Sequence, residues 1–120
     1  MANKADKILI VDDLKEILAV LTEIVQSGGY TNIAAFCDSK KAKEYLLENE
    51  VDVLVTDLQM PEVNRIELID IAFKMKVRRI IAVSGMIQKS ESLQKALKTL
   101  GVTFIEKPFK TGDLLNAIAG

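Results

Sequence analysis

Five short apolar runs alternate along this chain with segments whose apolar residues recur at helical spacing. The runs are KILIV (Lys7–Val11), TNIAAF (Thr31–Phe36), VDVLVTD (Val51–Asp57), RRIIAVS (Arg78–Ser84) and VTFIE (Val102–Glu106). Strands apolar on both faces must be covered on both, which favours a parallel sheet over an antiparallel one with a wet side. The alternation predicts five βα units in a single doubly wound α/β domain, with helices on each face. A chain of 120 residues suits one such domain, residues 1–120, with one core.

The helical segments support this reading. Leu14, Ile17, Leu18, Leu21, Ile24 and Val25 fall on one face of a first helix, which Gly28-Gly29 ends. Asp38 or Ser39 caps a second that buries Ala42, Tyr45 and Leu46. A third, from after Pro61 through Lys74, is apolar nearly all round. Ser90 starts a fourth with Leu93, Ala96, Leu97 and Leu100 inward, closed by Gly101. Leu114, Leu115 and Ile118 mark a short last helix.

Composition removes whole classes of function. The 16 basic and 17 acidic residues are mixed along the chain, which argues against a nucleic-acid or anionic-membrane surface. The start, MANKADK, has no signal-peptide core, and ILIV and IIAV are far too short to span a bilayer. A single cysteine, Cys37, excludes an internal disulfide and fits a reducing cytoplasm. Histidine is absent, which removes Ser-His and Cys-His nucleophiles and the usual zinc sites. Chemistry must rest on carboxylates, hydroxyls and lysine, with room for a hard cation.

Those groups stand at the strand ends, where a doubly wound sheet places its ligands. The first strand delivers Asp12 and Asp13, the third Asp57, the fourth Ser84, and the fifth Lys107 with Pro108 behind it. If the strands are ordered 2-1-3-4-5, the first and third are neighbours and the three carboxylates crowd together. Such a crowd repels itself unless a cation or protons neutralise it. Oxygen ligands with open positions suit Mg2+, which recruits phosphate, and Lys107 adds a fixed positive charge. Asp57 is then placed to attack phosphorus and form an acyl phosphate, with the equatorial oxygens neutralised during in-line transfer. Singly, each residue has a plainer reading. Asp12-Asp13 is a helix cap, Asp57 before Met60-Pro61 a turn signal, Ser84 a loop hydroxyl and Lys107-Pro108 a turn. Their joint placement outweighs those readings.

The segments ILIVDD, VLVTDLQMP, IIAVSG and FIEKPF resemble, in order and over essentially the whole chain, the receiver domain of two-component response regulators. The resemblance implies a flavodoxin-like fold with sheet order 2-1-3-4-5. It implies phosphorylation of Asp57 by a sensor histidine kinase or histidine phosphotransfer protein, with acetyl phosphate able to substitute. Asp13, Asp57 and the backbone carbonyl of Gln59 would hold Mg2+, and Asp12 would act through a water. Lys107 would contact the phosphoryl group across a cis peptide to Pro108, while Ser84 and Phe104 would switch position. The readout surface would be the last two helices and fifth strand, presenting Lys89, Glu91, Lys95, Lys98 and Lys110 to a downstream protein. The same crevice would hydrolyse its own acyl phosphate, with Gln59 and Met86 tuning its lifetime. Such a chain is a cytoplasmic signalling module with self-phosphorylation and autophosphatase activity rather than a dedicated enzyme.

Three residues depart from the family pattern. Leu14 stands where another acid is common, and Phe104 replaces the commoner tyrosine. Arg65 occupies a position that is usually glycine. A side chain held at positive φ costs about 1–2 kcal/mol. Either Arg65 bears that strain or Asn64 takes the left-handed role and the turn is rebuilt. The plainer reading is a tolerated loop change; the sharper one is a reshaped loop with added positive charge near the crevice. Two other functions compete. One is an unphosphorylated, receiver-like interaction module, against which the intact acidic triad, Ser84 and Lys107 argue. The other is a Mg2+-dependent phosphatase with an aspartyl-phosphate intermediate, which would carry a second acid where Gln59 stands. The chain ends just after the last helix, with no effector domain. A stand-alone receiver, a relay intermediate and a piece of a longer regulator all fit that ending.

Overall fold

A strand apolar on both faces is stable only between neighbours and under cover, and β1 shows this most fully: Ile8, Leu9, Ile10 and Val11 are all completely buried. The computed structural model describes residues 4–57, 65–84, 95, 98–106 and 109–120, with backbone alone at 65, 66 and 84. Its elements are β1 (Ile8–Val11), α1 (Lys15–Ser27), β2 (Ile33–Phe36), α2 (Ser39–Glu48) and β3 (Val53–Asp57), then α3 (Arg65–Lys74), β4 (Arg79–Ser84), β5 (Val102–Glu106) and α4 (Thr111–Ala119). All strand pairs are parallel and the order is β2-β1-β3-β4-β5, the expected flavodoxin-like arrangement.

The period of two along each strand sorts the core into two layers. Leu9, Val11, Leu54, Ile80 and Ala82 join Ala42 and Leu46 of α2 and Leu68, Ile69 and Ala72 of α3. Ile8, Ile10, Val53, Val55, Ile81 and Val83 join Leu21 and Val25 of α1 and Leu114 and Ile118 of α4. Each Val, Leu or Ile among them contributes about 1.5–3 kcal/mol when fully buried. Tyr45 adds a tilted ring contact with Phe36, centroids 5.4 Å apart, at the edge of the first layer.

Local chemistry sets the helix ends. Asp38 caps α2, its carboxylate accepting from the Lys40 N–H at 2.8 Å. Gly29, at φ +92°, turns the chain after α1. Gly28 is where α1 meets α4: a Cβ there would lie 2.5 Å from Cδ2 of Leu115. Gly101, at φ +75°, follows helical Lys95, Lys98 and Thr99, as expected of the residue closing that segment. Its predicted start at Ser90, with Leu93, Ala96 and Leu97, lies outside the described residues. One expectation fails at α1. Leu14 is its N-cap and is 53% exposed, so the apolar face begins at Ile17. The chain is still extended at Leu14, and the helical spacing has not yet begun to apply.

The amino ends of three strands are tied together at Asp52. Its carboxylate accepts from the Lys7 N–H at 2.8 Å, and its carbonyl accepts from the N–H groups of Arg78 and Arg79. The Arg78 guanidinium reaches Asp6 at 2.8 Å and Asp52 at 3.6 Å. This cluster pins β1, β3 and β4 at the end opposite the acidic residues.

Arg65 is the first residue of α3 and so lies in right-handed helical backbone, where a side chain is unstrained. Left-handed strain at Arg65 is therefore excluded; the alternative at Asn64 lies outside the described residues. The non-glycine residue at positive φ among those described is Lys76, at φ 63°. It ends α3 in a Schellman motif: the Val77 N–H bonds the Ala72 carbonyl at 3.0 Å and the Lys76 N–H bonds the Phe73 carbonyl at 3.1 Å. Lys76→Gly is expected to stabilise the protein by about 1 kcal/mol, read as a raised midpoint in denaturant. Arg65→Gly is expected to leave stability unchanged or lower it by at most about 1 kcal/mol. The opposite ranking would refute this account of the two positions.

Candidate functional site

Register brings the acidic residues together. Val11 of β1 pairs with Thr56 of β3, so Asp12 and Asp57 emerge side by side at the carboxyl ends of adjacent strands. Both are buried, at 0% and 2% exposure, while Asp13 is half-buried at the rim. One carboxylate oxygen from each of the three lies within 4.8 Å of the other two. Two ligands across an octahedral Mg2+ sit roughly 4 Å apart, so the spread matches what one small cation would draw in. The set is all oxygen, it carries three carboxylates, and Asp13 leaves it open to solvent. Mg2+ fits this chemistry, whereas a structural zinc would call for nitrogen and sulfur.

The backbone holds the triad in place. The Asp12 N–H donates to the Phe36 carbonyl at 3.2 Å, tying the loop to β2. Asp12 Oδ1 accepts from the Leu14 N–H at 2.9 Å. Asp12 thus performs part of the capping role that its position before a helix suggested. Leu14 acts here through its backbone N–H, which any non-proline residue would supply. Its lack of an acidic side chain leaves this contact intact. Asp57 pairs with Val83 of β4 and closes β3.

Thr56 is the polar residue that sequence reasoning passed over. It is fully buried, and its hydroxyl donates to the Asp57 carbonyl at 3.4 Å. The signal was one hydroxyl in the otherwise apolar run VLVTD, directly before the acid.

The remaining expected site residues are described unevenly. Ser84 ends β4 with Glu106 as its register partner, which puts its backbone at the same edge as Asp57; its side chain lies outside the described residues. Gln59, Met86, Lys107 and Pro108 lie outside them too. Phe104 is half-buried, packs on the core layer beneath α2 and α3, and pairs with Ala82. Of the expected readout residues, Lys95, Lys98 and Lys110 are exposed, and Lys89 and Glu91 fall outside the description. No helix among the described residues is long and apolar enough to cross a membrane.

Comparison with known proteins agrees with this geometry. Residues 8–119 match the family described as "Response regulator receiver domain". The Chemotaxis protein CheY of Thermotoga maritima is 28% identical over 112 residues, covering 93% of both chains. The protein-glutamate methylesterase/protein-glutamine glutaminase of the same organism is 31% identical over 110 residues, 90% of this chain. The chain spans about a third of the length of that relative, 32%. Among solved structures, the response regulator domain of Thermotoga maritima CheB superposes with a TM-score of 0.80 at 27% identity, covering 96% of this chain and 94% of that one. Vibrio cholerae CheY4 reaches a TM-score of 0.81 at 24% identity, covering 96% and 97%, a likeness of fold.

A cation that binds the native triad and not the unfolded chain stabilises by mass action, about 2.7 kcal/mol at a hundred times its dissociation constant. Thermal melts are therefore expected to rise with added Mg2+ and fall back with chelator. Asp13→Asn should abolish most of that rise. Without Mg2+, the same variant should melt no lower than the native chain, because it removes one of three repelling charges. A Mg2+ response unchanged by Asp13→Asn would exclude the triad as the site.

Proposed function

The chain belongs to the response regulator receiver domain family, and from that premise we propose that Asp57 is its phosphoacceptor. The observation that carries the proposal is the convergence of Asp12, Asp13 and Asp57 at the ends of two adjacent, register-locked strands. A carboxylate oxygen of Asp57 attacks phosphorus as the bond to the donor nitrogen or oxygen breaks. The product is an acyl phosphate on Asp57, and the donor leaves with the bonding electron pair. The donor is a phosphohistidine on a kinase or phosphotransfer protein, which fits a chain with no histidine of its own.

Asp13, Asp57 and the Gln59 carbonyl, with Asp12 acting through a water, would hold a Mg2+ ion, which would supply charge neutralisation for the transferred group. Lys107, with the cis peptide bond to Pro108 that the family pattern implies, would supply a second positive charge. Burial of Asp57 excludes bulk water and strengthens both contributions. Water attacking the same phosphorus in line returns the free carboxylate, so the site limits its own signal.

Output follows from a population shift. The phosphoryl group favours the arrangement in which the Ser84 hydroxyl reaches it and Phe104 packs inward. Phe104 lacks a phenolic hydroxyl, so its two positions differ by packing alone. The face built from β5, α4 and the segment containing Lys95 and Lys98 then changes its fit to a downstream protein. We place this receiver unit, residues 1–120, in the cytoplasm.

Incubation with acetyl phosphate and Mg2+, followed by intact-protein mass spectrometry, is expected to show one added phosphoryl group. Asp57→Asn should show none, and chelation should suppress the adduct in the native chain. An unmodified native chain would instead favour a phosphorylation-independent interaction module.

A further inference from the structure

Buried polar side chains gather in one corner of the molecule. Tyr30 aside, the polar or charged residues buried among those described are Asp12, Thr56 and Asp57. Thr56 precedes Asp57 on β3 and is the register partner of Val11, which precedes Asp12 on β1. Two of the three are carboxylates of the acidic crevice. The third is a hydroxyl directly behind them.

Packing does not call for that hydroxyl. Along β3, Thr56 falls on the same face as Leu54, in the layer covered by α2 and α3. Its partners across the sheet are Val11 on one side and Ala82 on the other, both apolar and wholly buried. Valine has the same branched shape and would fill the position without a polar atom. Folding gains little from the hydroxyl either. Its hydrogen bond among the described residues, to the Asp57 carbonyl, spans 3.4 Å, beyond the roughly 2.5–3.0 Å usual between two oxygens. A hydroxyl taken out of water for so long a bond is a net cost to the folded state.

What the hydroxyl touches is particular to the site. Its acceptor is the main-chain carbonyl of the proposed phosphoacceptor. One soft backbone torsion, ψ of Asp57, sets the direction of that carbonyl relative to the Asp57 carboxylate. The same torsion directs the chain onward to Leu58 and Gln59. A donor on this carbonyl therefore restrains the angle between the Asp57 carboxylate and the loop whose Gln59 carbonyl is the expected further ligand of the cation. We propose that Thr56 is a positioning residue, its buried hydroxyl holding the Asp57–Leu58 peptide in the orientation that cation binding and in-line transfer require. It acts through Asp57 and touches neither phosphorus nor metal. Misplacing reacting groups by about 1 Å costs on the order of a hundredfold in rate, so a bond too long to steady the fold can still govern transfer. The proposal deepens the phosphoacceptor reading of Asp57 and rests on it.

Two substitutions separate the methyl of Thr56 from its hydroxyl. Thr56→Val keeps the branched shape and loses the donor, whereas Thr56→Ser keeps the donor and loses a buried methyl. Stability should follow the methyl: Thr56→Val is expected to melt at or above the native temperature, and Thr56→Ser below it. Transfer should follow the hydroxyl. The rate of labelling by acetyl phosphate at saturating Mg2+, read by intact mass, is expected to fall about tenfold in Thr56→Val and to stay within about twofold of native in Thr56→Ser. The affinity for Mg2+ alone, read from the rise in melting temperature with added ion, should weaken in Thr56→Val and hold in Thr56→Ser. A Thr56→Val chain that labels and binds Mg2+ as the native chain does would overturn the proposal. So would a Thr56→Ser chain as slow as Thr56→Val, or a Thr56→Val chain that melts well below native, since shape or stability would then explain the loss. If the native chain takes no phosphoryl group, the phosphoacceptor reading fails by itself, and the Mg2+ affinities of the three chains decide the role of Thr56: equal affinities reject it.

Discussion

Everything at the carboxyl edge depends on the parallel pairing of β1 with β3. Four buried apolar residues on β1 pair with three apolar residues and Thr56 on β3, from Ile8 against Val53 to Val11 against Thr56. A slip of one position would turn every one of these side chains to the opposite face, a loss the packed core does not permit. The register is thus fixed by apolar burial well below the site, and its consequence is that Asp12 and Asp57 must emerge together. Bringing like charges together is unfavourable by itself. It is sustained because the hydrophobic layers beneath supply far more stabilisation than the repulsion removes, and a hard cation held by the three carboxylates would reverse its sign.

The two ends of the sheet divide the work. At the amino edge, charges are paired: Arg78 with Asp6 and Asp52, and the Asp52 carboxylate with the Lys7 backbone. At the carboxyl edge, carboxylates converge on one another. One edge locks the strands, and the other gathers the three carboxylates on which the proposed chemistry rests.

Much of this was readable from residues alone, for a physical reason. Strands buried on both faces write their character as unbroken apolar runs, so β1, β3 and β4 were plain, and the acids that terminate β1 and β3 stood out against them. The strand β2, only partly covered and with Ala34 and Ala35 at its centre, left a weaker mark. Helix ends were less legible, since they depend on backbone angles that many residues can adopt. Leu14 fits the helical spacing of α1 yet lies outside the helix, exposed. A side chain where glycine is usual leaves open strain at Arg65, a left-handed Asn64 or a tolerated loop change, and the helical backbone of Arg65 removes the first. The left-handed side chain among the described residues is Lys76, which no spacing rule marks, since a left-handed helix end can be filled by a residue that simply tolerates it. Thr56 went unremarked because one hydroxyl does not break an apolar run.

Gly28 carries a consequence of another kind. With Leu115 occupying the space a Cβ would need, the end of α1 and the flank of α4 touch with nothing to spare. The two positions are therefore not free to drift separately. A gain of volume at 28 must first be met by a turn of the Leu115 side chain, whose terminal methyl a Cβ would strike. Since α4 belongs to the proposed output face, a change of a few atoms behind the first helix would be felt by a partner on the far side of that helix. Sequence divergence at this contact should accordingly run in pairs, with the output geometry as the quantity being held constant.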